Sequence, residues 1–251
     1  MQKQPLILIT NDDGLDAQGI SVLTKCMQNL GQVIVVAPNG ARSGSACSIT
    51  PIVPVTLKLE SKQENLTVYT CSGTPVDCVK LALEKVVPRK PDLVVSGINH
   101  GDNASCSVHY SGTMGAVFEG CMKGVPSIGY SLRTRKQECD FHPYTEVIEQ
   151  VADYVLKNGL PQDICLNVNF PEVPVLQGVS VCRMARGIWQ SEWKDTDMPN
   201  VYTLTGHFTN LEPDAEDTDY WALDHGMASV TPLTLDMTHY PFLETLKSLQ
   251  K

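Results

Sequence analysis

The sequence predicts an α/β protein in which helices pack on both faces of a mainly parallel β-sheet. Residues 6–9 and 33–36 are continuous apolar runs, and residues 17–30 between them carry apolar side chains at helical spacing. Continuous apolar runs are typical of parallel strands that are buried on both faces. A strand, a helix and a second strand in this order therefore predict the first βαβ unit of such a sheet.

The same reasoning predicts the remaining elements of a core domain that spans residues 1–187. Further strands are expected at 52–59 and 66–71, which would pair as a hairpin, and at 93–96, 125–130 and 164–168. Further helices are expected at 75–86, 111–123 and 143–157. Strands that alternate with helices in this way favour a parallel sheet with helices on its faces.

The character of the sequence changes after Pro171. All 3 Trp lie beyond this point, residues 188–238 mix short β-prone runs with acidic loops, and residues 240–250 suggest a short helix. We therefore predict a catalytic domain at 1–187 and, at 188–251, a β-hairpin arm with a C-terminal helix. Appended arms of this kind often serve oligomerisation.

Composition limits the partners and the cellular compartment that we expect for this protein. The net charge of -9 comes without a marked basic cluster, so a nucleic-acid polymer is disfavoured as a partner. No apolar window reaches membrane-spanning length, and the N-terminus lacks the apolar stretch of a signal peptide, so no membrane partner is expected. The 9 Cys are scattered without a Cys-x-x-Cys pair, which is typical of reduced thiols in a cytoplasmic protein.

Three loops at the ends of predicted strands combine glycine with oxygen-bearing side chains. They span residues 10–16, 38–48 and 97–111. Ligands of open α/β sheets bind beyond the carboxyl ends of the strands, so the three loops predict one shared site.

The first loop carries the adjacent carboxylates Asp12 and Asp13. Two neighbouring carboxylates at the end of a buried strand repel each other, and a divalent cation relieves that repulsion. Asn-Asp-Asp-Gly also suits an ordinary turn or helix cap, so the pair by itself leaves both interpretations open.

The other two loops offer neutral oxygen ligands and an anion site. Ser43 and Gly44 supply a hydroxyl and backbone N–H groups that suit an oxyanion or a cation, and Asn99 supplies a neutral carbonyl. Ser111-Gly112-Thr113 lies at a predicted helix start, where free N–H groups and the helix dipole favour phosphate. A plain Ser/Gly loop and an ordinary Ser N-cap are the simpler interpretations of these segments.

The ligand types favour one class of metal. Several known nucleotide-binding and catalytic motifs are absent from the sequence. An all-oxygen set suits Mg²⁺ or Mn²⁺ better than Zn²⁺, and the six His show no recognisable ligand spacing. The sequence contains no Gly-x-Gly-x-x-Gly, no Walker A loop and no Gly-x-Ser-x-Gly elbow.

Several sequence blocks, in order along nearly the whole chain, resemble the survival protein SurE family. The blocks begin with Ile9-Thr10-Asn11-Asp12-Asp13-Gly14, Ala37-Pro38, Arg42-Ser43-Gly44 and Ser48-Ile49-Thr50. They continue with Gly73-Thr74-Pro75-Val76-Asp77-Cys78-Val79 and Pro91-Asp92-Leu93-Val94-Val95-Ser96-Gly97-Ile98-Asn99. The remaining blocks are Gly101-x-Asn103, Tyr110-Ser111-Gly112-Thr113, Glu119-Gly120, Thr218-Asp219 and Ser229-Val230-Thr231-Pro232-Leu233.

The resemblance implies a Rossmann-like three-layer fold and a metal-dependent phosphomonoesterase that acts on nucleoside 5′- or 3′-monophosphates, in some members also on short polyphosphate. It implies one divalent ion per subunit on the ligands Asp12, Asp13, Ser43 and Asn99. Asp12 and Asp13 would be the catalytic carboxylates. The expected phosphate-binding residues are Ser43, Gly44, Asn99, Asn103, Ser111, Gly112 and Thr113. A homodimer or homotetramer that exchanges C-terminal arms is also implied.

Two rival hypotheses remain beside metal-assisted hydrolysis. In the first, Asp12 or Asp13 attacks phosphorus and forms an aspartyl phosphate. In the second, the protein binds nucleotides as a sensor without turnover. Trapping of that intermediate with a fluoride analogue would support the first over direct hydrolysis, and release of inorganic phosphate separates the second.

Overall fold

The computed structural model describes residues 4–134, 136 and 138–250. Its strands are β1 (Leu6–Thr10), β2 (Gln32–Pro38), β3 (Leu57–Lys62), β4 (Leu66–Cys71), β5 (Leu93–His100), β6 (Ser127–Arg133), β7 (Ile164–Pro171), β8 (Val179–Val181), β9 (Gly187–Gln190), β10 (Trp193–Asp195), β11 (Tyr202–Leu204), β12 (His207–Asn210) and β13 (Ala228–Thr234). Its α-helices are α1 (Gln18–Gln28), α2 (Pro75–Leu81), α3 (Gly112–Met122), α4 (Thr145–Asn158), α5 (Asp219–Asp224) and α6 (Tyr240–Leu246).

A nine-stranded sheet in the order β3-β4-β2-β1-β5-β6-β7-β13-β8 forms the centre of the protein. Parallel pairing runs without interruption from β4 to β7, while β3 and β13 pair antiparallel with their neighbours β4 and β7. The predicted mainly parallel sheet is therefore confirmed. Every helix in the described ranges is too short or too polar to cross a bilayer.

The alternation of side chains along β1 shows why the fold has three layers. Ile7 and Ile9 pack in a cluster that includes the apolar side of α1 and of α4, represented by Leu23 and Ile148. Leu6 and Leu8 point to the other face and pack against residues of α2 and α3. A strand that is apolar at every position requires cover on both faces, and the helices provide it.

The predicted hairpin begins later than expected. Strand β3 starts at Leu57, whereas the apolar segment from residue 52 stays outside the sheet and the side chain of Ile52 is fully exposed. Pro51 and Pro54 lack the N–H groups that a ladder needs, so this segment cannot continue the strand despite its β-branched residues.

The segment after residue 187 divides into two parts. Strands β9 and β12 pair with each other, as do β10 and β11, outside the central sheet. Strand β13 then returns to the sheet between β7 and β8, so part of the segment 188–251 belongs to the core architecture. The division of the chain at residue 187 stays a prediction.

Substitution of Gly19 by alanine is expected to destabilise the fold. A Cβ atom on Gly19 would lie 2.0 Å from the Ile98 carbonyl oxygen, because α1 packs directly on the backbone of β5. Overpacking of this kind costs about 1–3 kcal/mol in free energy of unfolding. Urea denaturation measures the loss, and Gly40→Ala is the matched control because a Cβ there meets nothing within 4 Å. Equal stability of the two variants would contradict the packing argument.

Candidate active site

The predicted site loops meet beyond the carboxyl ends of β1, β2 and β5, at the start of α3. They border a cavity of ≈ 590 Å³. Five of the predicted phosphate-binding residues line it, namely Ser43, Gly44, Asn99, Asn103 and Ser111, together with Asp12. A cavity of this size is within the range of small-molecule sites.

Asp12 is buried at the end of β1 and is held by the first turn of α3. Its side chain is 5% exposed, and the Thr113 hydroxyl donates a 2.5 Å hydrogen bond to its Oδ1. Burial raises the pKa of Asp12 to about 6, the Thr113 hydroxyl lowers it, and the neighbouring charge of Asp13 raises it. Asp12 is therefore ionised above this pH in an environment that disfavours its charge.

Asp13 faces the end of β5. The backbone N–H of His100 donates to its Oδ2 at 3.2 Å, and the His100 Nδ1 atom lies 3.9 Å from the same oxygen. Burial raises the pKa of Asp13, whereas the His100 N–H group lowers it. Asp13 lies next to Asp12 in the chain but is not one of the described residues that line the cavity.

The carboxylates of Asp12 and Asp13 have no Lys or Arg partner among the residues that the structure describes. In the described ranges, no Lys or Arg side chain forms an ion pair with Asp12 or Asp13. The described part of the cavity wall likewise contains three carboxylates, those of Asp12, Asp102 and Glu192, and no Lys or Arg. Buried carboxylates without a partner are costly, so the arrangement suits a bound cation.

The loop after β2 is anchored on both sides. The Arg42 backbone N–H donates to the Asp12 carbonyl at 2.6 Å, whereas the Arg42 guanidinium turns away and donates to the Ser72 carbonyl at 3.0 Å. Asp77, in the first turn of α2, accepts a 2.6 Å hydrogen bond from the Thr50 hydroxyl. These contacts fix both ends of the segment that carries the exposed Ser43 side chain.

The side-chain amide of Asn99 forms a hydrogen bond through its nitrogen. Its amide nitrogen donates to the Gly101 carbonyl at 2.7 Å. Its oxygen accepts no hydrogen bond from any residue that the structure describes. A neutral amide oxygen beside a carboxylate pair is a suitable ligand for a hard divalent cation.

Asn103 is held by a buried amide network that the sequence did not reveal. Its backbone N–H donates to Asn169 Oδ1 at 2.8 Å, and its side-chain nitrogen donates to Ser131 Oγ at 2.8 Å. Asn167 donates to the Asn103 carbonyl at 2.8 Å. The partners come from β6 and β7, so the third loop is tied to the sheet itself.

The first residues of α3 contact Asp12 and do not belong to the described cavity wall. Ser111 is the N-cap, and its hydroxyl accepts a hydrogen bond from the Met114 N–H at 3.0 Å. Both the hydroxyl and the backbone N–H of Thr113 act on Asp12, and neither Thr113 nor Gly112 is a described residue of the cavity wall. A Cβ on Gly112 would lie 2.9 Å from the Asp12 Cβ, so only glycine allows this approach.

Sequence reasoning missed the contribution of the arm to the cavity. Trp189, Glu192, Leu204 and Thr205 come from β9, β11 and the loops beside them, and they line the same cavity as Asp12. His100, Asp102, Ser107 and Tyr110 also line it. The concentration of Trp in the arm was the only signal available, because nothing in the sequence indicates where the arm folds back.

Comparisons with known proteins agree on one family. The sequence profile described as "Survival protein SurE" matches residues 7–191. A protein of Phocaeicola vulgatus named 5′-nucleotidase SurE is 51% identical over 250 residues, which is 98% of this chain and 97% of that protein. The protein of the same name from Bacteroides thetaiotaomicron is 51% identical over 97% of this chain and 95% of its own length. The crystal structure of the SurE protein from Aquifex aeolicus superposes with a TM-score of 0.86 at 34% identity, and covers 98% of this chain and 100% of that one.

Removal of divalent cations is expected to make folding stability depend on the protonation of Asp12. The pKa of this group is about 6 in the folded chain against an ordinary 3.8, so the folded state binds more protons between these values. The free energy of unfolding therefore falls by about 2 kcal/mol from this group as pH rises from about 4 to 6. Urea denaturation in EDTA from pH 4 to 7 measures the decrease, and it should be smaller in Asp12→Asn. Parallel curves for the two proteins would contradict the expectation.

Proposed function

The chain belongs to the survival protein SurE family, and we propose that it is a 5′-nucleotidase that hydrolyses nucleoside 5′-monophosphates to nucleoside and phosphate with the help of one divalent cation. The name 5′-nucleotidase on relatives that are 51% identical over nearly the whole chain supports the reaction. Hydrolysis of 3′-monophosphates and of short polyphosphate is implied by the family resemblance alone.

The observation that carries the metal dependence is the acidic cavity. A phosphate dianion that enters the cavity would approach Asp12, and the described wall contains no Lys or Arg to offset its charge. Coulomb repulsion in a partly buried site opposes such binding strongly. A divalent cation on Asp12 and Asp13 would balance the charge of that pair and would lower the repulsion that the dianion meets.

Four residues would hold this cation: Asp12, Asp13, Ser43 and Asn99. The described residues contain no group of three or more His, Cys, Asp or Glu that could hold a metal ion. The proposed set therefore combines two carboxylates with the neutral oxygens of Ser43 and Asn99. An oxygen set of two carboxylates, one amide and one hydroxyl suits Mg²⁺ or Mn²⁺. The Asn99 oxygen, which accepts no hydrogen bond from the described residues, and the desolvated Asp12 carboxylate both fit the role.

The residues of the chain prepare the site for hydrolysis. Thr113 keeps Asp12 in a fixed rotamer and favours its ionised form, and the His100 N–H does the same for Asp13. Ser43, Gly44 and Ser111 border the space that would receive the phosphate. When bound, the cation polarises phosphoryl oxygens and acidifies a water molecule.

Direct hydrolysis is favoured over nucleophilic attack by Asp12. Asp12 is 5% exposed and already accepts a hydrogen bond from Thr113, so its carboxylate has little freedom to approach phosphorus. Hydrolysis of a thiophosphate analogue of AMP that is made chiral at phosphorus with oxygen isotopes should invert the configuration at phosphorus, because direct attack by water is a single displacement. Retention of configuration would support the covalent route, which needs two displacements.

Asp12→Asn is expected to abolish phosphate release from AMP. Loss of a charged ligand weakens a metal contribution of several kcal/mol, so the rate should fall by at least about 100-fold. Released phosphate is measured with Mg²⁺, with Mn²⁺ and with EDTA. Asp16→Asn is the matched control, because Asp16 is an exposed carboxylate of the same loop. Release that persists in EDTA, or that is lost equally in the control, would argue against the metal site.

We also propose that the C-terminal segment mediates formation of a homodimer or homotetramer. None of the residues of α6 is buried, although Phe242, Leu243 and Leu246 are large apolar side chains. Met237 and Leu249 on either side of the helix are 85% and 78% exposed. Contiguous apolar surface of this kind marks interaction sites, and a second copy of the chain is the expected partner.

Phe242→Asp combined with Leu243→Asp is expected to lower the oligomeric state. The two charges would oppose burial of α6 against another subunit. Light scattering coupled to gel filtration measures the mass, which for one chain is 27.5 kDa. Tyr154→Asp is the control, because Tyr154 is 61% exposed on α4 and lies outside the proposed interface. An unchanged mass in the double variant would contradict assembly through this helix.

A further inference from the structure

We propose that Trp189 forms a nucleobase-binding subsite in the active-site cavity, on which the base of the substrate stacks. The inference rests on the proposed nucleotidase function and adds the residue that distinguishes a nucleotide from a simple sugar phosphate. Trp189 belongs to the arm, whereas the residues for phosphate and metal belong to the core.

The residues that line the cavity form two groups of different chemistry. The core contributes Asp12, Ser43 and Asn99, which are oxygen ligands suited to a cation and a phosphate. The arm contributes Trp189 and Leu204, which are apolar, with Glu192 and Thr205 beside them. A nucleoside monophosphate has the same division, with a charged group at one end and a flat aromatic ring at the other.

The indole is held in place by a series of aromatic contacts. Trp189 on β9 pairs across the strands with Phe208 on β12, and their ring centroids are 6.1 Å apart. Phe208 stacks on Tyr220 of α5 at 4.1 Å, and the Tyr220 hydroxyl donates to Asp102 Oδ1 at 3.4 Å. The series therefore connects Trp189 to the loop that follows β5, and a rigid aromatic surface loses little entropy when it binds a ring.

Gly187 makes the packing of Phe208 beside Trp189 possible. A Cβ atom on Gly187 would lie 2.0 Å from the Phe208 ring, so any side chain there would displace Phe208 from its place beside Trp189. Trp189 is half-buried. The remaining exposed part of the indole is available at the cavity that it lines.

The polar groups near Trp189 suit a neutral nucleoside. Asp102 and Glu192 are acceptors for ribose hydroxyls or exocyclic amino groups, and Thr205 can donate or accept. The described wall offers no Lys or Arg to a negatively charged ring substituent. Stacking accepts any base, because every base has a π-face, so the subsite favours nucleosides as a class.

The test compares AMP with ribose 5-phosphate, which has the same sugar phosphate without the base. In Trp189→Ala, kcat/KM for AMP should fall by about 5- to 100-fold through a higher KM, a range typical of one base–aromatic stack. The value for ribose 5-phosphate should stay unchanged. Trp189→Phe should retain most of the preference for AMP. Trp193→Ala is the matched control, since Trp193 is 67% exposed and lies outside the described cavity wall.

The outcomes separate this proposal from the proposed function. Equal losses for AMP and ribose 5-phosphate would show a structural role for Trp189 and overturn the subsite, as would an unchanged preference for AMP. If the wild type releases no phosphate from either compound, the nucleotidase proposal fails. Calorimetric titration with adenosine, which has no phosphate, then tests the subsite by itself: binding that is lost in Trp189→Ala supports it, and binding that is absent or equal in both proteins overturns it.

Discussion

The arrangement of the site depends on the contact between the buried Asp12 carboxylate and the first turn of α3. Thr113 gives Asp12 a hydroxyl donor, and Gly112 lets the helix approach the carboxylate without a side chain in between. The contact favours an ionised carboxylate that burial opposes, and the pKa of about 6 records the balance. A carboxylate that is held in place and has no Lys or Arg partner among the described residues is a suitable ligand for a divalent cation.

Close packing of helices against backbone atoms holds the loops of the site in place relative to the sheet. Gly19 lets α1 lie on the Ile98 peptide, directly before the proposed ligand Asn99, and Gly115 lets α3 lie on the Ala46 carbonyl of the loop that carries Ser43. The proposed ligands are thus positioned by helix–loop contacts with no room for an added methyl group. Interiors packed at this density move little, which supports the preorganised geometry that catalysis needs.

The arm brings a second kind of chemistry to the same cavity. The core supplies oxygen ligands from loops that follow parallel strands, and the arm supplies Trp189 on a small antiparallel pair. The aromatic contacts from Trp189 to Tyr220 and the hydrogen bond from Tyr220 to Asp102 join the two parts. A core that binds phosphate and metal, as we propose, with an appended element that contacts the rest of the substrate, would allow substrate preference to change without disturbing the proposed metal ligands.

The sequence by itself determined the parallel sheet, the helices on its two faces and the three loops that form the site, because local apolar runs and glycine-rich strand ends carry that information. The placement of Asp12, Asn99 and Ser111 at one cavity followed from the rule that parallel strands end on the same edge. Only the tertiary structure decided that Thr113 donates a hydrogen bond to Asp12 and is absent from the described cavity wall. It also decided that Asn167 and Asn169 form hydrogen bonds with Asn103, and that Trp189 lines the cavity. These contacts join residues from 64 to more than 100 positions apart or depend on how the arm folds back, and no local pattern in a single sequence encodes such distances.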